Sequence, residues 1–273
     1  MADRLFAILS LAIPTLAGLM FMAAFGAPQN YLLINTAALA LGSVSIWFGR
    51  SVPALIKPQT WILLAALLVI MALPLVTGPE LNGVSRWLPL GPFQLHAGML
   101  ILPTLVALAA EDRDNSPIIL ITAVLIATLQ PDAAACLAIM GAAVGLYFAW
   151  YDWKPGVIAL SAFLAGIYAA IRGELPPQQF VERVLVFAAE QNPLIALALL
   201  AALLISFFLL QFSINRPPAI RYALAGSMAG FSIAAVLNNY PSILIGYGAA
   251  PILGYALALS PYIREKDVAP ARS

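Results

Sequence analysis

The chain has 273 residues, of which 63% are hydrophobic and 9% charged, with 13 basic side chains against 12 acidic ones. A soluble domain carries roughly 25% charged residues, and a water-soluble globule of this size has too much surface to hide so many apolar groups. The near-neutral balance excludes a bulk field for nucleic acid, and the single cysteine, Cys136 in an apolar run, excludes a disulfide framework and reads as a small buried hydrophobe.

A helix crossing the hydrocarbon needs roughly 20 apolar residues. Cutting the chain at its charged and Pro/Gly/Asn clusters predicts about ten spans: 5–26, 30–49, 59–77, 95–110, 117–130, 133–151, 156–172, 193–213, 222–238 and 241–261. The fourth and fifth are short, which leaves eight to ten as the range. The first run, Leu5 to Phe25, is longer than a signal-peptide core of roughly 7–15 residues and reads as a transmembrane helix. Backbone groups in lipid are satisfied within a helix, and the alternating segments of a barrel are absent, so the expected fold is an all-α polytopic bundle forming one integral membrane domain, 1–273.

Basic residues orient the bundle. With the N-terminus inside, cytoplasmic segments carry Arg4, Arg50, Lys57, Arg113, Lys154, Arg216, Arg221, Arg264, Lys266 and Arg272, while outer segments carry Arg86, Arg172 and Arg183. Both ends are therefore expected in the cytoplasm. Gly141-xxx-Gly145 and Gly226-xxx-Gly230 predict close helix approach. Pro103 and Pro251 predict kinks, and Gly248, Pro251 and Gly254 together predict an interrupted last helix.

The spans hold no Asp, Glu, Lys or Arg away from their ends, which argues against an ion-driven carrier and moves polar chemistry to an interface. Two outer loops, 78–94 and 173–192, are longer than turns. In the first, Arg86-Trp87 reads either as an interfacial turn with an aromatic anchor or as a planar fork for a phosphate or carboxylate. In the second, Gln178, Gln179, Glu182, Arg183 and Glu190 gather within about 140° at helical spacing, predicting an amphipathic helix over Gln178–Gln191 on the outer interface. Glu182 falls on its wet face, either as a solvated carboxylate or as a general base at the membrane surface. Asp132 reads as an N-cap of the sixth span. His96, the one histidine, has no partner carboxylate nearby in sequence, and no phosphate loop, nucleophile elbow or zinc spacing occurs.

Four segments in order, 82–93, 129–132, 181–190 and 245–248, resemble the SEDS family of cell-wall polymerases. Asn82-Gly83-Val84-Ser85-Arg86-Trp87-Leu88-Pro89-Leu90-Gly91-Pro92-Phe93 is similar to that family's first extracytoplasmic loop. Leu129-Gln130-Pro131-Asp132 matches its Leu-Gln-Pro-Asp signature. Val181-Glu182-Arg183 through Glu190 resembles its Thr-Asp-Phe-Ile-Phe-Ala-x-x-x-Glu segment, and Ile245-Gly246-Tyr247-Gly248 its Ile-Ser-Tyr-Gly. The resemblance implies a SEDS-like protein of peptidoglycan synthesis, in cell shape or division, in the bacterial inner membrane, binding lipid II or another undecaprenyl-linked substrate and polymerising it into glycan strands. It implies Glu182 as the base, Arg86, Asp132, Trp87 and Arg183 as substrate contacts, membrane lipids around the chain, and a class B penicillin-binding protein as partner. No cofactor is required by the sequence; a divalent cation at the pyrophosphate is the one addition the resemblance implies.

The chain also departs from the family pattern. Glu182 stands where the family has Asp, and Gln-Pro-Ser-Glu-x-x-Lys reads His96-Ala97-Gly98-Met99-Leu100-Ile101-Leu102. The family's Gly-Thr after Leu-Gln-Pro-Asp is Ala134-Ala135, and its Gly-Ser-Ser is Ala249-Ala250-Pro251. Two alternative functions follow: a non-catalytic scaffold for cell-wall enzymes, and a transporter or flippase of lipid-linked sugars.

Overall fold

The computed structural model describes residues 2–49, 57–91, 93–173 and 175–260. Arg50, Arg264, Lys266 and Arg272, part of the orientation argument, lie outside them. In chain order the helices are α1 (Ala2–Ala24), α2 (Gln29–Phe48), α3 (Lys57–Ala72), α4 (Pro74–Thr77), α5 (Ala97–Ala109), α6 (Ser116–Leu129), α7 (Ala133–Trp150), α8 (Trp153–Arg172), α9 (Val184–Gln191), α10 (Pro193–Phe208), α11 (Pro218–Leu237) and α12 (Ala249–Leu259). A π-helical turn, Leu209–Ser213, extends α10.

Among the described residues seven helical stretches are long and apolar enough to cross a membrane, and α5, α6 and α12 are shorter apolar helices. Together they match the ten predicted segments. Met20, Val76 and Ile171 are among the many large apolar side chains left on the outside of the bundle. In water such a surface would drive aggregation; in lipid it is the expected exterior.

The centre of the bundle is the α7–α11 pair. A Cβ added at Gly141 would collide with the Gly226 carbonyl, one at Gly226 with the Gly141 carbonyl, and one at Gly230 with the Leu137 carbonyl. Both small-residue motifs therefore meet across one seam, where packing rather than hydrophobicity holds helices together in lipid. Gly226→Val is expected to cost about 1–3 kcal/mol or more by overpacking, read as a lower unfolding midpoint in detergent; Gly156→Ala, whose added Cβ would meet only the Tyr147 ring at an ordinary 3.6 Å, serves as the neutral packing comparison.

Polar pins complete the interior. The Asn35 amide donates to the Gly246 carbonyl at 2.9 Å and accepts from the Gly248 N–H at 3.0 Å. Ser227 and Tyr255 share a hydrogen bond of 2.7 Å. The expected interruption of the last helix is real: 238–248 is irregular and α12 begins only at Ala249, after Gly248 with φ +154°. Pro251 therefore sits in the first turn of α12, where its missing N–H has no helical partner to lose.

Two expectations are corrected. The loop 78–94 contains a β-hairpin, β1 (Trp87–Leu90) against β2 (Phe93–His96), with Gly91 at φ +59° in its turn. The amphipathic helix is shorter than its periodicity suggested, since α9 starts at Val184. Residues 178–183 instead form a turn with left-handed backbone at Phe180 (φ +66°) and Arg183 (φ +52°). Its backbone is captured by the irregular segment before α12: Ser242 N–H donates to the Val181 carbonyl at 2.8 Å and Tyr247 N–H to the Phe180 carbonyl at 2.7 Å. A longer helix would forfeit both bonds.

Candidate active site

The candidate residues meet at the end of the bundle where α1, α6, α8 and α11 finish. Arg86 is delivered there by two turns. Leu81 and Val84 exchange both backbone hydrogen bonds at 3.0 Å across Asn82 (φ +51°) and Gly83 (φ +78°), a left-handed pair that fits a type I′ turn. The β1–β2 hairpin then pairs Trp87 with His96, and the Ala97 N–H donates to the Arg86 carbonyl at 3.0 Å. Arg86 and His96 are thus held side by side by main-chain bonds.

The Arg86 side chain is 1% exposed. Its guanidinium lies 4.8 Å from the Trp87 ring and 4.7 Å from the Tyr240 ring. These faces stabilise the cation. Its Nε and Nη1 nonetheless have no hydrogen-bond partner. A buried guanidinium with open donors is costly, and its planar fork matches a phosphate or carboxylate. The anion reading of Arg86 is therefore favoured over the interfacial-turn reading.

Asp132 is fully buried and caps α7, its Oδ1 accepting from the Ala135 N–H at 3.1 Å, as the sequence predicted. Its Oδ2 faces His96 Nε2 at 3.5 Å, at ion-pair range but outside hydrogen-bond geometry. A partner carboxylate for His96, not expected from the sequence, thus comes from 36 residues downstream. Gly98 makes room for it: a Cβ there would stand 3.0 Å from Asp132 Oδ2. Tyr240, also absent from the sequence-based candidates, accepts from the Ala133 N–H at 3.1 Å through its hydroxyl. Burial, with the Asp132 charge adding to it, pushes the Tyr240 phenol up to about 12.

Glu182 lies on the 178–183 turn, half-buried, rather than on the wet face of a helix. Its backbone bridges to Pro241 and its Oε2 accepts from the Gln178 N–H at 2.6 Å. Burial raises its carboxyl above the usual range, while the Gln178 N–H and the Arg86 charge pull it back. Arg86 therefore acts electrostatically on Glu182 as it does on His96 and Tyr240. Arg183 precedes α9 in a left-handed conformation, with a buried Nε that has no partner. The Val184 N–H donates to Ser242 Oγ at 2.9 Å, tying this turn to the segment that carries Tyr240.

The site therefore gathers a half-buried carboxylate, a buried guanidinium with free donors, and a buried carboxylate–imidazole pair. Met99 and Leu102, where the resembled family has an acid and a lysine, are buried in α5 among apolar neighbours. Among the described residues no three His, Cys, Asp or Glu side chains come together to hold a metal ion.

No family model matches the chain. In sequence it is 29% identical over 140 residues to the probable peptidoglycan glycosyltransferase FtsW of Pseudoalteromonas translucida, covering 45% of this chain and 35% of that relative. It is 33% identical over 76 residues to the probable peptidoglycan glycosyltransferase FtsW of Halothiobacillus neapolitanus, covering 26% of this chain and 18% of that relative. The chain thus spans about a third or less of the curated relatives it matches. In fold it resembles the rod shape determining protein RodA of Thermus thermophilus, with a TM-score of 0.68, 21% identity and 95% of each chain covered. A structure showing the coordination of polymerization and crosslinking by a peptidoglycan synthase complex is similar at a TM-score of 0.60 and 22% identity, over 95% of this chain and 97% of that one. The chain thus shares the RodA-like fold over nearly its whole length and is similar to the FtsW relatives over shorter stretches within it.

Proposed function

We propose that this protein joins lipid-linked sugars into glycan strands at the outer face of a bacterial inner membrane, with lipid II as substrate. The observation that carries the reading is Arg86, buried with unpaired donors in the electrostatic reach of Glu182. In the proposed step Glu182 takes the proton from an acceptor sugar hydroxyl. That oxygen bonds to the donor's anomeric carbon, and the bond from this carbon to the pyrophosphate breaks. Undecaprenyl pyrophosphate leaves with the electron pair, its charge met by Arg86 and by Arg183. Trp87 offers a face to the sugar, and Asp132 supports the site as a fixed acid. Any divalent cation would arrive with the pyrophosphate as part of the substrate, and no step depends on it. The class B penicillin-binding protein implied by the resemblance is the proposed partner.

The apolar Met99 and Leu102 favour a second reading, a non-catalytic scaffold for cell-wall enzymes. Incubation of purified protein with labelled lipid II separates the two: strands made by the wild type and not by Glu182→Gln support the enzyme. No strands, with a cell-wall enzyme retained on the purified protein, would support the scaffold.

The pH profile tests the base. Glu182 works ionised, and its carboxyl is raised above the ordinary range. Falling pH should therefore switch the reaction off at a higher pH than an ordinary solvated glutamate would allow. A profile flat down to the ordinary carboxylate range of about 4.3 would remove Glu182 as the base.

A further inference from the structure

We propose that His96 is a positioning residue that holds the Asp132 carboxylate away from Arg86, so that Arg86 keeps its donors free for an oxyanion. The proposal rests on the anion-binding reading of Arg86. It starts from a puzzle: a buried carboxylate and a buried guanidinium act on the same neighbours, Tyr240 and His96, yet neither salt bridge among the described residues joins them. Left to itself, such a carboxylate would satisfy the cation and close the site.

The geometry supplies the restraint. Asp132 Oδ1 is committed to the Ala135 N–H at the start of α7. The second oxygen lies at ion-pair range of His96, without a hydrogen bond of its own. The Met99 N–H donates to His96 Nδ1 at 3.3 Å, so that nitrogen carries no proton. This pattern assigns the neutral ring's proton to Nε2, the atom that faces Asp132 Oδ2 at 3.5 Å. His96 caps α5 with one nitrogen and faces the α7 cap with the other. Both side chains are buried, 5% and 0% exposed, so no water shell competes for the carboxylate. Tyr240 adds a spacer, its hydroxyl bound by the Ala133 N–H and its ring against the guanidinium. Reaching Arg86 would cost Asp132 its helix cap and its imidazole neighbour together. Gly98 belongs to the same device, since a side chain there would press on Oδ2.

The test is a double-variant cycle on the purified full chain in detergent, with inorganic pyrophosphate as probe and titration calorimetry as readout. His96→Ala should weaken pyrophosphate about tenfold, the scale of one hydrogen bond to a charged group. His96→Gln, whose amide can donate to Oδ2, should stay within about threefold of wild type on the same scale. Asp132→Asn should bind at least as tightly as wild type. Adding His96→Ala to Asp132→Asn should then change nothing, because the competing charge is gone. An equal loss from His96→Ala in both backgrounds, or no loss in either, overturns the proposal. His96→Leu is run alongside, so that a folding defect in the alanine variant does not stop the cycle. If wild type and Arg86→Met bind pyrophosphate alike, or neither binds it, the Arg86 reading itself falls and takes this inference with it.

Discussion

Glu182→Gln should lower glycan-strand synthesis from lipid II by about 10²–10⁴-fold, the range that a positioned general base contributes. The substitution keeps shape and volume and removes only the ability to take a proton. The side chain lies on a turn that main-chain bonds from 241–247 hold in place, and the Gln178 N–H can still be accepted by an amide oxygen. Substrate affinity should therefore change little and kcat should carry the loss. Glu182→Asp sharpens the result. It restores the residue of the resembled family but withdraws the carboxylate by one methylene from a turn built around the longer side chain. A displacement of about 1 Å can cost roughly 10²-fold. Activity in Glu182→Gln equal to wild type would remove Glu182 from the mechanism.

Arg86→Met should separate activity from stability. Loss of a preorganised charge-stabilising donor typically costs about 10²–10³-fold in kcat, and strand synthesis should fall by at least that much. Thermal stability should hold or rise. The guanidinium is 1% exposed with two nitrogens unpaired, so the folded protein bears a desolvation cost that no salt bridge among the described residues offsets. Methionine fills a similar volume beside Trp87 and Tyr240 and accepts aromatic neighbours. A large drop in the unfolding midpoint would mean that Arg86 is structural, held by its two rings, and that its open donors are incidental. Arg86→Lys distinguishes charge from geometry, since a point charge cannot make the planar, two-pronged contact.

The spans were legible because lipid makes each one declare itself. Runs of apolar residues ended by charged or Pro/Gly clusters gave the ten apolar segments close to their final places, and the glycine pairs announced the α7–α11 seam. Asp132 as a helix cap was equally local and equally readable. What stayed hidden was long-range. The wheel over Gln178–Gln191 carried a true amphipathic signal, but it could not show that the backbone of 180–182 finds partners in 241–247. Asn82-Gly83 was a hairpin-type turn signal, and its meaning was masked by the assumption that all regular structure in lipid is helical. His96 looked solitary because its carboxylate is on another helix, and Tyr240 carried no motif at all. The resemblance named Arg86 and Glu182; only the fold brings them into one electrostatic neighbourhood.

The glycine seam also has a consequence for how the chain is made. The end of α7 and the start of α11 are separated by about 70 residues that include two further apolar helices, α8 and α10. At about 5–20 residues per second, α11 reaches the membrane some 3–14 s after α7 is complete. During that interval the glycine face of α7 stands without the one neighbour close enough to fill it. Whatever escorts newly inserted helices has the longest task at this position, so a Gly141 or Gly145 variant would show its defect in the yield of newly made protein before any change in the finished one.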